Sequence, residues 1–145
     1  LIDNAQNIGI GGIATPSVRL NVNGAIKSSS DISAVGTIGY ATGAGGAVTQ
    51  LVSRGTAVTL NKICGSITLF NAVGVTTWGS FAVNNTLIGA RDTILLTYSG
   101  GLSNYIFIPG RITAGASFVI NFVALTVGST DTPTINFTII KSLNA

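Results

Sequence analysis

Along Val35 to Phe70, glycine-rich turns alternate with short β-branched runs, and no window shows apolar residues recurring at helical spacing. Val48, Gln50 and Val52 fall on one side of an extended chain, with Thr49, Leu51 and Ser53 on the other. Gly55 marks a turn within Ser53 to Thr56, Ala57 to Leu60 resumes the period of two, and Asn61-Lys62 turns the chain again. This is strand, turn, strand, turn, strand, and it commits the chain to an all-β fold.

The same signals continue downstream. Ala72 to Trp78 reads as a loop leading into a strand at Ser80 to Asn84. Asp92 to Ser99 reads as a strand bounded by Gly100-Gly101, and Tyr105 to Ile108 as a short one ended by Pro109-Gly110, with Arg111 to Ala114 pairing nearby. Ser117 to Val127 is the longest extended segment and is apolar on both faces, as in a strand covered on two sides or facing another subunit. Ile135, Phe137 and Ile139 alternate inward on a final strand. About eight strands at near-regular spacing predict an antiparallel two-sheet β-sandwich, jelly-roll-like, over residues 36–145.

Residues 1–35 have another texture. Asn7-Ile8-Gly9-Ile10-Gly11-Gly12 is followed by Thr15-Pro16-Ser17, and then Val18, Leu20 and Val22 alternate with polar residues up to Asn23-Gly24. Asn-Gly after an alternating run signals a hairpin, so an N-terminal β-hairpin stem is expected. Two strands with so narrow an apolar side are marginal alone, and threefold association would bring three such edges together. Ile8, Ile10, Val18, Leu20 and Val22 are therefore the candidate subunit-interface residues of a homotrimer.

Composition limits what the chain can do. Charged residues make up 8% against about 25% in ordinary globular proteins. Hydrophobic residues are 46% and mean hydropathy is +0.60, so part of the apolar surplus is expected to face other subunits. The net charge of +3 comes from singly scattered residues without a basic, aromatic-interleaved patch, which argues against nucleic acid. Phe118 to Val127 falls short of about 18 apolar residues, and the 7% aromatics form no girdles, so no membrane insertion is expected. No signal-peptide pattern is visible, and a start at Leu1 without Met leaves open an upstream region.

The chemical inventory points away from catalysis. The chain has no His and no Glu, and its acids are Asp3, Asp31, Asp92 and Asp131, well separated in sequence. No nucleophile comes with a base, and one cysteine without histidine cannot build a tetrahedral metal site; no enzyme, metal or cofactor is expected. Cys64 reads as a small strand hydrophobe. Gly9 to Ala14 fits G-x-G-x-x-A, but Pro16 and a strand-like run follow where a dinucleotide fingerprint needs a helix. Tyr40, Trp78, Tyr98 and Tyr105 could stack on a sugar ring. Trp78, in a glycine-flanked loop, is the candidate receptor contact.

The strings GYATGAGGAVTQ and TAVTLNKICGSITLFNA resemble a small β-domain found at or near the C-termini of bacteriophage and prophage virion proteins, many of them tail-fibre-like. The likeness extends more loosely through INFVALTV and INFTIIKSLNA, and it departs chiefly over Val73 to Asn104. NIGIGG, a Pro-containing turn and VRLNVNGAIKSS are similar to a segment of phage tail fibres and other trimeric surface proteins, where it forms an intertwined stem before a globular tip. It departs at Gly12-Ile13. The resemblance implies a non-enzymatic virion structural protein, a tail-fibre or tailspike-type homotrimer at the virion surface that mediates host attachment. Its partners would be its own copies, tail or major capsid proteins, and a host surface glycan. The alternative is a capsid decoration (cement) protein that stabilises the phage head, for which 145 residues is an ordinary length and for a whole fibre a short one.

Overall fold

Along Thr134 to Ile140, Ile135, Phe137 and Ile139 are buried while the residues between them are half-buried or exposed, as the period-two pattern requires. In a computed structural model the described residues are 7–10, 12, 20–22, 24, 26, 28–35 and 38–142, and among them every regular element is a β-strand. In chain order these are β1 (Ile8–Ile10), β2 (Leu20–Val22), β3 (Ala47–Thr49), β4 (Val58–Thr59), β5 (Cys64–Thr68) and β6 (Ala72–Val73). They continue as β7 (Gly79–Asn84), β8 (Thr93–Ser99), β9 (Tyr105–Thr113), β10 (Ser117–Ala124), β11 (Thr130–Asp131) and β12 (Thr134–Ile140). The chain divides into two compact units, Leu1–Ile38 and Gly39–Ala145.

In the first unit β1 and β2 pair in parallel, Ile8 opposite Leu20 and Ile10 opposite Val22. The partner of β2 thus precedes it in the chain; of the hairpin expected around Asn23-Gly24, Asn23, Ala25 and Lys27 lie outside the described residues. Ile26 is exposed, and Ser28 Oγ donates to the Ser30 carbonyl at 2.7 Å in a local polar turn.

The second unit holds two open four-stranded sheets, ordered β4-β7-β10-β9 and β3-β5-β12-β8, with a small β11-β6 ladder. The β3–β5 and β4–β7 pairs are parallel and the other pairings in this unit antiparallel, so both sheets are mixed where wholly antiparallel ones were expected; each parallel pair joins a short edge strand whose chain returns to its sheet only after a further connection. Phe81, Val83, Phe118 and Ile120 from one sheet and Ile67, Ile135, Phe137 and Ile139 from the other form a common apolar cluster. The rings of Phe118 and Phe137 meet with centroids 5.4 Å apart at 62°.

The loop expected from Ala72 opens instead with the short strand β6, paired with β11, and three further strand boundaries differ from the sequence reading. First, β9 runs through Pro109-Gly110 as one strand. It is the edge of its sheet, where a missing N–H leaves no ladder incomplete. The register against β10 shifts between Phe118 and Ile120, and a Cβ on Gly110 would sit 2.7 Å from Asn121 Nδ2, so glycine fits this bulge. Second, β10 stops at Ala124, leaving Leu125 and Val127 exposed. Third, β3 stops at Thr49. The Gln50 side chain donates to the carbonyls of Arg54 (3.1 Å) and Thr56 (2.7 Å) and accepts from Phe70 N, turning the chain away and leaving Leu51 and Val52 outside.

Candidate functional site

Because β3 and β5 run parallel and β12 antiparallel to both, the connections 50–57, 69–78, 100–104 and 125–133 gather at one end of the second unit. Backbone hydrogen bonds join them: Leu69 N to Pro133 O (2.9 Å), Leu125 N to Asn104 O (2.8 Å) and Gly128 N to Gly74 O (3.2 Å). Beneath them lies a buried ion pair. Arg54 is 8% exposed and Asp131 5%, with Arg54 Nη2 2.6 Å from Asp131 Oδ1.

Each member is bonded to several connections. Arg54 Nε donates to Phe70 O (3.0 Å), Nη2 to Ala72 O (2.6 Å) and Asp131 O (2.6 Å), and Nη1 to the Tyr105 hydroxyl (2.7 Å). That hydroxyl donates to Asp131 Oδ1 (2.7 Å), while Oδ2 accepts from the backbone N–H of Leu102 (2.6 Å) and Ser103 (3.1 Å). Burial opposes ionisation of Asp131, but the donors Tyr105, Arg54, Leu102 and Ser103 outweigh it and hold the carboxyl below its ordinary range. Burial, reinforced by the hydrogen bond to Asp131, pushes the Tyr105 phenol up. Among the described residues Ser103 Oγ is the buried side-chain polar atom without a partner of hydrogen-bonding geometry.

The chemistry available here is positional. Each oxygen of the Asp131 carboxylate accepts from two donors, so it is a weak base and a strong anchor. A shallow pocket of about 360 Å³ opens above it, lined by Asn71, Gly101, Leu102, Thr130, Asp131 and Thr132.

Trp78, the expected receptor contact, stands at this same end with 58% of its surface exposed. Tyr98 and Tyr105 instead pack into an aromatic group with Phe107, and the Tyr40 hydroxyl donates to the Ile139 carbonyl. Of the residues expected at a subunit interface, Ile8, Ile10 and Leu20 are exposed, Val22 is half-buried, and Val18 lies outside the described residues. At the other end of the unit, Asp92 is bonded to Lys141 Nζ and to the backbone N–H of Gly89 (2.6 Å) and Ser142 (3.1 Å). These bonds outweigh burial and lower its pKa. Cys64 is a half-buried free thiol on β5. No group of three or more His, Cys, Asp or Glu side chains suited to a metal occurs among the described residues.

The Arg54–Tyr105–Asp131 network is absent from the sequence reading, which saw scattered single charges. The one available signal is rarity: in a chain with 8% charge, an arginine following Leu51-Val52-Ser53 is out of keeping with its neighbours. No family model matches this chain, and no curated protein or solved structure matches it.

Proposed function

We propose that the chain is a non-enzymatic structural protein of a bacteriophage virion, a homotrimer of the tail-fibre or tailspike type at the particle surface that attaches the particle to its host. In this reading the two sheets of the second unit form a β-sandwich, and the first unit is the stem. The observation that carries it is the apolar side chains left outside a charge-poor chain: Leu51, Leu102 and Val127 in the second unit, Ile8, Ile10 and Leu20 in the first. Such surface is stable in water when copies or partners cover it. The resemblance of GYATGAGGAVTQ and of NIGIGG with NVNG to virion segments supports the same assignment. So does the engagement of Asp92 and Asp131 in ion pairs that lower their pKa and make them poor proton carriers.

Attachment would work by multivalency: three weak contacts held together outlast any one of them. The test is a map of the phage particle with this chain located in it, together with the mass of the purified protein. A trimer at a tail appendage supports the proposal. A trimer spread over the head at local threefold axes replaces attachment with capsid cementing, and a chain absent from particles refutes both. Ile10→Asp with Leu20→Asp should weaken the trimer if the stem contributes to it, read by sedimentation velocity.

A further inference from the structure

The charges of the second unit are segregated by end. Lys62 precedes β5, Arg91 precedes β8, Arg111 lies near the end of β9 and Lys141 follows β12. All four therefore lie at the end opposite the gathered connections, since β5 and β8 begin there and β9 and β12 finish there. The acid at that end, Asp92, is buried against Lys141. At the connection end the charges are Arg54 and Asp131, buried against each other. The large apolar side chains that end exposes include Leu51 (81%), Val52, Trp78, Leu102 (76%), Leu125 and Val127 (73%), on four connections tied by one network.

We propose that this connection end is the surface through which the second unit meets another copy of itself. The proposal rests on the homo-oligomeric reading above and names the contact. Groups close to a rotation axis lie near their own images, so like charges gathered at an end that meets its copies repel one another. The basic end, with four cations against one acid, repels a copy. The connection end presents no such obstacle, and its apolar, charge-depleted surface has the character of an interface core. Its four connections are already fixed by the buried network, so little ordering is needed on association. A lipid surface fits less well, because interfacial anchoring sets Lys and Arg beside the apolar residues, and here the cations stand at the far end.

The experiment is sedimentation velocity of the full chain at micromolar concentration. It compares wild type with Leu102→Asp plus Val127→Asp, with Leu51→Asp plus Val52→Asp, and with Leu87→Asp as an exposed control at the basic end. The wild type and the control should sediment at a multiple of 14.6 kDa. Each double variant should fall to the monomer or dissociate at least about 100-fold more readily, because like charges now face each other across the contact. Far-UV circular dichroism identifies a variant that has lost its fold, and the other pair then decides. An oligomer that survives both folded pairs overturns this assignment and leaves self-association intact through another surface. A monomeric wild type overturns both readings. Flotation of monomeric wild type with phosphatidylcholine vesicles, lost in the double variants, would show that the end serves lipid and not a copy.

Discussion

Replacing Arg54 with alanine should be among the most damaging single changes in the second unit. Its guanidinium donates at 2.6 to 3.0 Å to Phe70 O, Ala72 O, Asp131 O, Asp131 Oδ1 and the Tyr105 hydroxyl, and its Cζ stands 5.4 Å from the Tyr105 ring centroid. Removing it leaves a buried carboxylate without its counter-ion and frees three carbonyls that water reaches poorly. Breaking a buried pair from one side costs about 3–5 kcal/mol. At about 4 °C per kcal/mol for a unit near 100 residues, the melting temperature should fall by about 12–20 °C. Arg54→Met with Asp131→Leu removes both charges and should recover part of the loss, because no unpaired ion remains while the three carbonyls and the N–H groups of Leu102 and Ser103 stay without their partners. The assay is a far-UV circular dichroism melt at pH 7 and fixed protein concentration, since association shifts the midpoint. A fall of less than about 4 °C for Arg54→Ala would show that the pair contributes little and that the connections are held by other contacts.

The pH dependence has a defined sign on each side. Asp92 and Asp131 have lowered pKa values in the folded chain, so their stabilisation is complete above the ordinary carboxylate value of about 4 and is lost as pH falls through the lowered ones. Tyr105 is raised, so its contribution is complete below about pH 10 and is lost as pH rises through the folded value. Urea midpoints measured across pH should drop at both extremes, with a shallower acid limb in Asp131→Asn; a flat profile would contradict the network. Gly128→Ala would place a Cβ 1.6 Å from Ser103 Oγ and 2.8 Å from Ser103 Cβ, destabilising the unit by about 1–3 kcal/mol. Adding Ser103→Gly should restore more than half of that in the same urea assay. Phe118→Ala, which removes a fully buried ring stacked edgewise on Phe137, should cost about 3–5 kcal/mol by chemical denaturation.

Local pattern carries the strands and their faces. Ile135, Phe137 and Ile139 are legible as inward residues because side chains on an extended chain alternate strictly, whatever the partner strand is. Trp78 is likewise legible as exposed, because glycine on either side of its loop gives it nothing local to pack against. Strand ends are less legible, since they depend on neighbours. Pro109 reads as a stop until β9 proves to be an edge, and Val52 reads as in register until the Gln50 side chain closes the loop before it.

The order of strands, the parallel joining of β1 to β2, and the pairing of Arg54 with Asp131 across 77 positions were decided by the tertiary structure. Alternation says which way a side chain points and nothing about which strand lies beside it. Thus an all-β chain, poor in charge and without histidine or glutamate, follows from the order of residues alone. That the few charges of the second unit sort into a basic end and an end where they cancel underground follows from topology, because only the folded path brings distant connections to the same place.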